Sequence, residues 1–200
     1  MKYISTRNNN TFIDFERVCL KGLAPDGGLY LPKNWNENNF EYSKTDDKFE
    51  NIAYNIIKNF VGNALNNKDL KEIIKLSYAN FTSKEITPLK KLEDNHWLLE
   101  LFHGPTLAFK DIALQLLGNL FNFYLEKNNN KINIIGATSG DTGSAALEAV
   151  KGNKKINIFI LHPLNRVSVF QRRQMTTVKS PNVFNIALKG SFDDCQHIVK

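Results

Sequence analysis

From Phe81 onward, short apolar runs and helical stretches alternate, and this pattern constrains the fold more than any other. Ile132–Ala137, Ile156–Leu161 and Val183–Leu188 read as strands. Asp141–Lys151 and Val167–Val178 read as the helices between them, and Ser191 suits the cap of a helix after the last strand. Strands joined through helices return to the same end of the sheet, so the expected class is α/β with a parallel sheet. Upstream, Ile86–Leu92 and Trp97–Phe102 are candidate strands, and a helix is expected over Thr106–Lys127. Ligands of such sheets bind at loops beyond the carboxyl ends of the strands.

Two loops of that kind carry chemistry. The first is His103-Gly104-Pro105-Thr106-Leu107-Ala108-Phe109-Lys110-Asp111. Gly104-Pro105 is a turn and Thr106 a helix cap. Lys110 then falls in the first turn of a helix, where a cation is disfavoured. The helix dipole and the apolar neighbours Ala108 and Phe109 both favour the neutral amine, the condition for a nucleophilic or Schiff-base lysine. A solvated lysine at a helix start is the plain alternative.

The second loop, Thr138-Ser139-Gly140-Asp141-Thr142-Gly143, joins a strand to a helix. A helix N-terminus with free N–H groups suits an anion, Ser139 and Thr142 add hydroxyls, and the glycines let a ligand approach the backbone. A P-loop would need Gly and Lys where Asp141 and Thr142 stand. A dinucleotide fingerprint would need glycine at Thr138 and an acid where Leu161-His162 closes the next strand. A glycine-rich cap with no ligand remains open. Asp141 repels anions, so it either caps its own helix or faces another group. His103 reads as a packed turn residue, and Arg166, Arg172, Arg173 and Lys179 as a solvated basic face.

The first 80 residues have a different texture. Tyr3-Ile4-Ser5 is a short strand, and Thr11–Gly22 carries Phe12, Phe15, Val18 and Cys19 at helical spacing. Pro25-Asp26-Gly27-Gly28 is a tight turn before the extended Leu29–Pro32. Phe49–Val61 and Lys68–Tyr78 are helices, the first with Ile52, Ile56, Ile57 and Phe60 on one side. The asparagine triplets at 8–10 and 128–130 read as loops. The net charge of +6 comes from lysines scattered among asparagines, without the aromatic–basic platform that nucleic-acid binding uses. No run nears the ~18 apolar residues of a membrane span. The polar opening has no signal peptide, and the distant Cys19 and Cys195 read as free thiols, so a cytoplasmic protein is expected.

Together, Tyr3-Ile4-Ser5-Thr6-Arg7, Gly22–Pro32, the stretch 103–111 and Ala137–Gly143 resemble the threonine synthase family. That family belongs to the β-family, or fold type II, of pyridoxal-phosphate enzymes. The matching motifs run from residue 3 to the end of the chain in family order. The resemblance implies a small N-terminal α+β domain over residues 1–80. The start of a tryptophan synthase β-like catalytic body would follow over 81–200. It implies pyridoxal 5′-phosphate held on Lys110, with Phe109 and Asp141 beside it and Asp141 in reach of the cofactor hydroxyl. By the same resemblance Ser139, Gly140, Asp141, Thr142 and Gly143 hold the α-carboxylate of the substrate, and no metal is required. The implied reaction turns O-phospho-L-homoserine and water into L-threonine and phosphate, with Lys110 as the base at Cα. A basic helix face and His103 are the residues that could meet the substrate phosphate.

One departure is Asn8, where the family often has glycine after the arginine; asparagine also tolerates positive φ. Members of the family are far longer, and their glycine- and asparagine-rich loop for the cofactor phosphate has no counterpart in residues 144–200. The chain is therefore expected to be incomplete and inactive alone. Two other readings stay open: a non-catalytic relative that binds phosphorylated ligands, and another β-family lyase such as a dehydratase or sulfhydrylase. The N-terminal motifs favour threonine synthase, because such lyases usually lack that region. The sequence does not set the oligomeric state.

Overall fold

The computed structural model of the chain describes residues 1–34 and 48–199. It divides into two compact units, Met1–Leu76 and Ser77–Lys200.

The first unit begins with β1 (Tyr3–Ser5) and β2 (Asn8–Ile13), followed by α1 (Phe15–Lys21) and β3 (Tyr30–Pro32). The three strands form an antiparallel sheet in the order β2-β1-β3, with Tyr3 opposite Ile13 and Pro32. Helix α2 (Phe49–Val61) and helix α3 (Asn67–Tyr78) follow, the latter reaching the division between the units. Tyr3, Ile13, Ala24, Val61, Leu65, Leu70, Ile73 and Ile74 are buried. The periodicity of residues 49–61 gives the helix but misplaces its inner face. Ala53 and Val61 are buried while Ile56 is exposed, so the covered stripe runs along i, i+4, i+8.

The helix expected over Thr11–Gly22 starts later, and the asparagine triplet 8–10 is not a loop. Asn8–Ile13 is an edge strand whose first five residues are exposed. Phe12 is exposed there, so its helical spacing to Phe15 was fortuitous. The Asp14 carboxylate accepts from the N–H of Arg17 at 3.0 Å, and this cap is where strand gives way to helix. The tight turn is held from both sides. The N–H of Gly27, at φ +76°, donates to the Ala24 carbonyl. The Asp26 carboxylate accepts from Ser5 Oγ at 2.8 Å and from the N–H of Gly28 at 2.9 Å, and Arg7 donates to the Asp26 carbonyl. The Gly28 N–H, then Ser5 and the Arg7 charge, hold the Asp26 carboxyl below its usual range. The two N-terminal motifs are thus one knot of hydrogen bonds.

The second unit opens with β4 (Leu89–Glu93) and β5 (His96–Leu99), an antiparallel hairpin exposed along its whole length. These stretches do not join the parallel sheet, and Glu100–Phe102 lies outside any strand. The reason is local: Asp94-Asn95, with Asn95 at φ +61°, reverses the chain at once. Then come α4 (Asp111–Lys127), β6 (Ile132–Ala137), α5 (Asp141–Val150), β7 (Ile156–Pro163), α6 (Val169–Thr176), β8 (Val183–Leu188) and α7 (Phe192–Val199). Strands β6, β7 and β8 form a parallel sheet in that order, as the alternation requires. Ser191 caps α7, its Oγ accepting from the N–H of Asp194.

Helices α4 and α5 touch through Gly118, where an added Cβ would lie 2.4 Å from the Ala149 carbonyl oxygen. Tyr124, Leu125, Leu147, Ile156, Ile158, Met175 and Cys195 are fully or almost fully buried. Neither cysteine is in a disulfide. Among the described residues no helix is long and apolar enough to cross a membrane, and no group of His, Cys, Asp and Glu is placed to hold a metal.

Candidate active site

The lysine is not inside a helix. Helix α4 begins at Asp111, five residues later than the Thr106 start expected, and Lys110 is its N-cap residue. Residues 104–110 form consecutive turns instead, with Leu107 at φ +62°. Three interactions build them. The Leu107 N–H donates to the Gly104 carbonyl, and the Asp111 N–H to the Ala108 carbonyl. The Asp111 carboxylate reaches back to accept from the Thr106 N–H at 2.8 Å and the Thr106 hydroxyl at 2.7 Å. Asp111 is fully buried, and an added Cβ on Gly104 would lie 2.4 Å from its Cβ. Thr106 therefore does not cap α4; it is the group that Asp111 grips. The turn delivers Lys110 beside Phe109, with Nζ 4.8 Å from the ring centroid, a cation–π distance.

Lys110 Nζ lies 2.9 Å from Asp141 Oδ2, and both side chains are about one-third exposed (29% and 37%). Hydrogen bonding to Lys110, with its charge, holds the Asp141 carboxyl below the usual range. The apolar setting expected around the lysine is therefore interrupted by a carboxylate from the second loop. Asp141 is the first residue of α5, not its cap; Gly140 is the cap residue. Asp141 Oδ1 accepts from the N–H of Thr142.

The second loop is organised on Thr138, which is 2% exposed. Its Oγ1 accepts from the N–H groups of Gly140 at 3.0 Å and Gly143 at 2.9 Å. Threonine at this position, which rules out a dinucleotide fingerprint, is what shapes the loop. Gly140 has φ +156°, and a Cβ there would meet the Gln171 side chain at 2.3 Å. Since the N–H groups of Gly140, Thr142 and Gly143 are engaged, the exposed side chains of Ser139 and Thr142 are the loop's outward polar groups. The structure thus brings Lys110, Phe109 and Asp141 together and sets Ser139–Gly143 at the start of α5.

His103 is held both by its own turn and by Thr82. Its Nε2 is 2.8 Å from Glu100 Oε2, its Nδ1 is 3.2 Å from Thr82 Oγ1, and its ring stacks on Phe102. Glu100 is 5% exposed and also pairs with Lys90 at 2.6 Å. Lys90, then His103, pull its carboxyl below the usual range. Arg172 and Arg173 are exposed on α6. Residues that the sequence reading did not single out are Asp111 as a buried anchor, Glu100 and Gln174. The Gln174 Nε2 donates to the Thr106 carbonyl at 3.0 Å across 68 residues, and no local pattern signals such a bond.

The site defines a class: a parallel-sheet α/β protein in which a lysine set just before one helix meets the acidic start of another. Residues 2–78 match the family model described as the threonine synthase N terminus. Across its whole length the chain is 48% identical to threonine synthase of Pseudomonas aeruginosa and 45% identical to that of Schizosaccharomyces pombe, covering 43% and 41% of those proteins. A crystal structure of pyridoxal-phosphate-bound threonine synthase from Brucella melitensis superposes with a TM-score of 0.88 at 40% identity, over all of this chain and 43% of the other. The chain aligns throughout with the N-terminal part of threonine synthases and spans less than half the length of these relatives.

Proposed function

We propose that the chain contributes the lysine side of a pyridoxal 5′-phosphate site, and that the reaction served is that of threonine synthase. That reaction is a carbon–oxygen lyase conversion of O-phospho-L-homoserine and water into L-threonine and phosphate, in the cytoplasm. The division of labour goes with residues 1–80 as the family's N-terminal domain and 81–200 as the start of the catalytic body. The observation that carries the reading is the approach of Lys110 to Asp141 at 2.9 Å from two separate strand-to-helix loops.

The residues present fit the cofactor. A primary amine stands one-third exposed beside an aromatic ring, and a carboxylate lies within hydrogen-bonding distance of that amine. When bound, the cofactor supplies an electron sink for charge at the substrate carbons. Lys110 would hold the cofactor, and its amine, when free, would be the base that moves the proton at Cα. Phe109 offers an apolar face next to the amine. Asp141 orients the lysine through its 2.9 Å hydrogen bond and would face the cofactor hydroxyl. The exposed hydroxyls of Ser139 and Thr142, presented at the start of α5 by a loop that Gly140, Asp141 and Gly143 shape, receive the substrate α-carboxylate.

The test is borohydride trapping of added pyridoxal 5′-phosphate followed by peptide mapping. Label concentrated on Lys110 is expected, with none at that peptide in Lys110→Ala. Label spread evenly over the lysines would overturn the assignment.

A further inference from the structure

We propose that Gln174 is a positioning residue for Lys110: through one hydrogen bond it ties the lysine turn to α6, and α6 is itself seated on the second loop. The inference rests on the reading of Lys110 as the cofactor lysine.

Three contacts come from one face of α6, at spacing i, i+3, i+4. The Gln171 amide lies against Gly140, where a Cβ would sit 2.5 Å from its Cδ. This amide is fixed in place, because Gln171 Oε1 accepts from the Ser168 hydroxyl at 2.9 Å and the Gln171 backbone N–H donates to Ser168 Oγ at 3.2 Å. Met175, fully buried, presses on Gly143, where a Cβ would be 2.6 Å from its sulfur. The Met175 carbonyl accepts from Asn185 Nδ2 of β8 at 3.1 Å. The helix is therefore registered against the Thr138–Gly143 loop and the sheet. Gln174, between these two contacts, donates to the Thr106 carbonyl at 3.0 Å.

Among the described residues, the side-chain bond that the Thr106 carbonyl accepts comes from Gln174. The Thr106 N–H and hydroxyl are both committed to Asp111, within its own turn. An open, mainly polar pocket of about 360 Å³, whose lining includes Thr106, Gln174 and Val178, lies beside it. The lysine turn contains a non-glycine residue at positive φ, and a turn of that kind persists only where its surroundings fix it. Through Gln174 the position of the Ser139–Gly143 loop is passed to the turn that carries Lys110. The Lys110–Asp141 distance follows from it.

The experiment compares Gln174→Leu and Gln174→Glu in the full chain. The glutamate keeps the shape of glutamine but has no donor at neutral pH. Hydrogen exchange is read on residues 104–111, and borohydride-trapped pyridoxal 5′-phosphate is read on the Lys110 peptide. Loss of one bond of this kind is expected to raise exchange in 104–111 roughly tenfold in both variants, with β6 and β7 unchanged. Trapping on Lys110 is expected to fall while trapping on other lysines stays constant. On acidification Gln174→Glu regains protection, after correction for intrinsic rates, because the protonated carboxyl donates again; Gln174→Leu does not. Wild-type behaviour in both variants, or in Gln174→Glu at neutral pH, would overturn the inference. Absence of Lys110 trapping in the unaltered chain would overturn the cofactor reading instead, and the exchange comparison would still decide whether Gln174 holds the turn.

Discussion

Both oxygens of Asp111 accept hydrogen bonds from Thr106, and the residue has no solvent exposure. Asparagine at this position keeps one acceptor and turns an N–H₂ group toward a donor. Asp111→Asn is therefore expected to cost about 1–3 kcal/mol in urea denaturation, the usual penalty for an unmatched buried polar group. Glu100 gives a pH-dependent counterpart. Its carboxyl is held below the ordinary range by Lys90 and His103, so its contribution is complete above the unfolded-state value of about 4.3. That contribution is lost as pH falls through the lower folded value. Glu100→Gln is expected to melt below wild type at pH 7, with the gap closing in melts taken on the acid side of about pH 4. At this scale the sequence names the chemical residues but not their company. Lys110, Asp141 and Ser139–Gly143 are visible as motifs, whereas the Lys110–Asp141 pair spans 31 positions and is made only by the fold. Thr138 is visible too, but its role depends on burial, which no string of residues displays.

Among the elements, α4 and α5 meet closely enough for one methyl group to matter. Alanine is the better helix former by about 1 kcal/mol, so Gly118→Ala would stabilise an isolated α4. In the folded chain the new Cβ meets the backbone oxygen of Ala149 at 2.4 Å, and backbone cannot swing aside as a side chain does. Overpacking of that kind typically costs about 1–3 kcal/mol, so the steric effect wins and a lowered thermal midpoint is expected. Helix α2 and strands β6 and β8 could be read from sequence to the residue, because each is a compact apolar-rich stretch bounded by polar or turn residues. Strand β2 could not, because three asparagines are poor strand formers and only its pairing with β1 makes them extended. The late start of α4 was equally hidden. Leu107 adopts a left-handed backbone for which leucine gives no signal, and the reason lies in Asp111, Thr106 and distant Gln174.

On the scale of the whole molecule, the parallel sheet was legible because alternation leaves few other folds, and the exposed β4–β5 hairpin was not, because apolar runs look alike in either setting. The division at residue 76 also separates the two cysteines. Cys19 lies in the first unit, half-buried, its thiol pushed up to about 12 by burial and then by Glu16. Cys195 lies in the second, fully buried on α7, its thiol also raised, mainly by burial. A thiol held protonated in the folded state reacts with a disulfide reagent only when its surroundings open. The chain thus carries one internal clock in each half, and the two labelling rates, followed by mass in rising urea, report whether the halves come apart together or one ahead of the other.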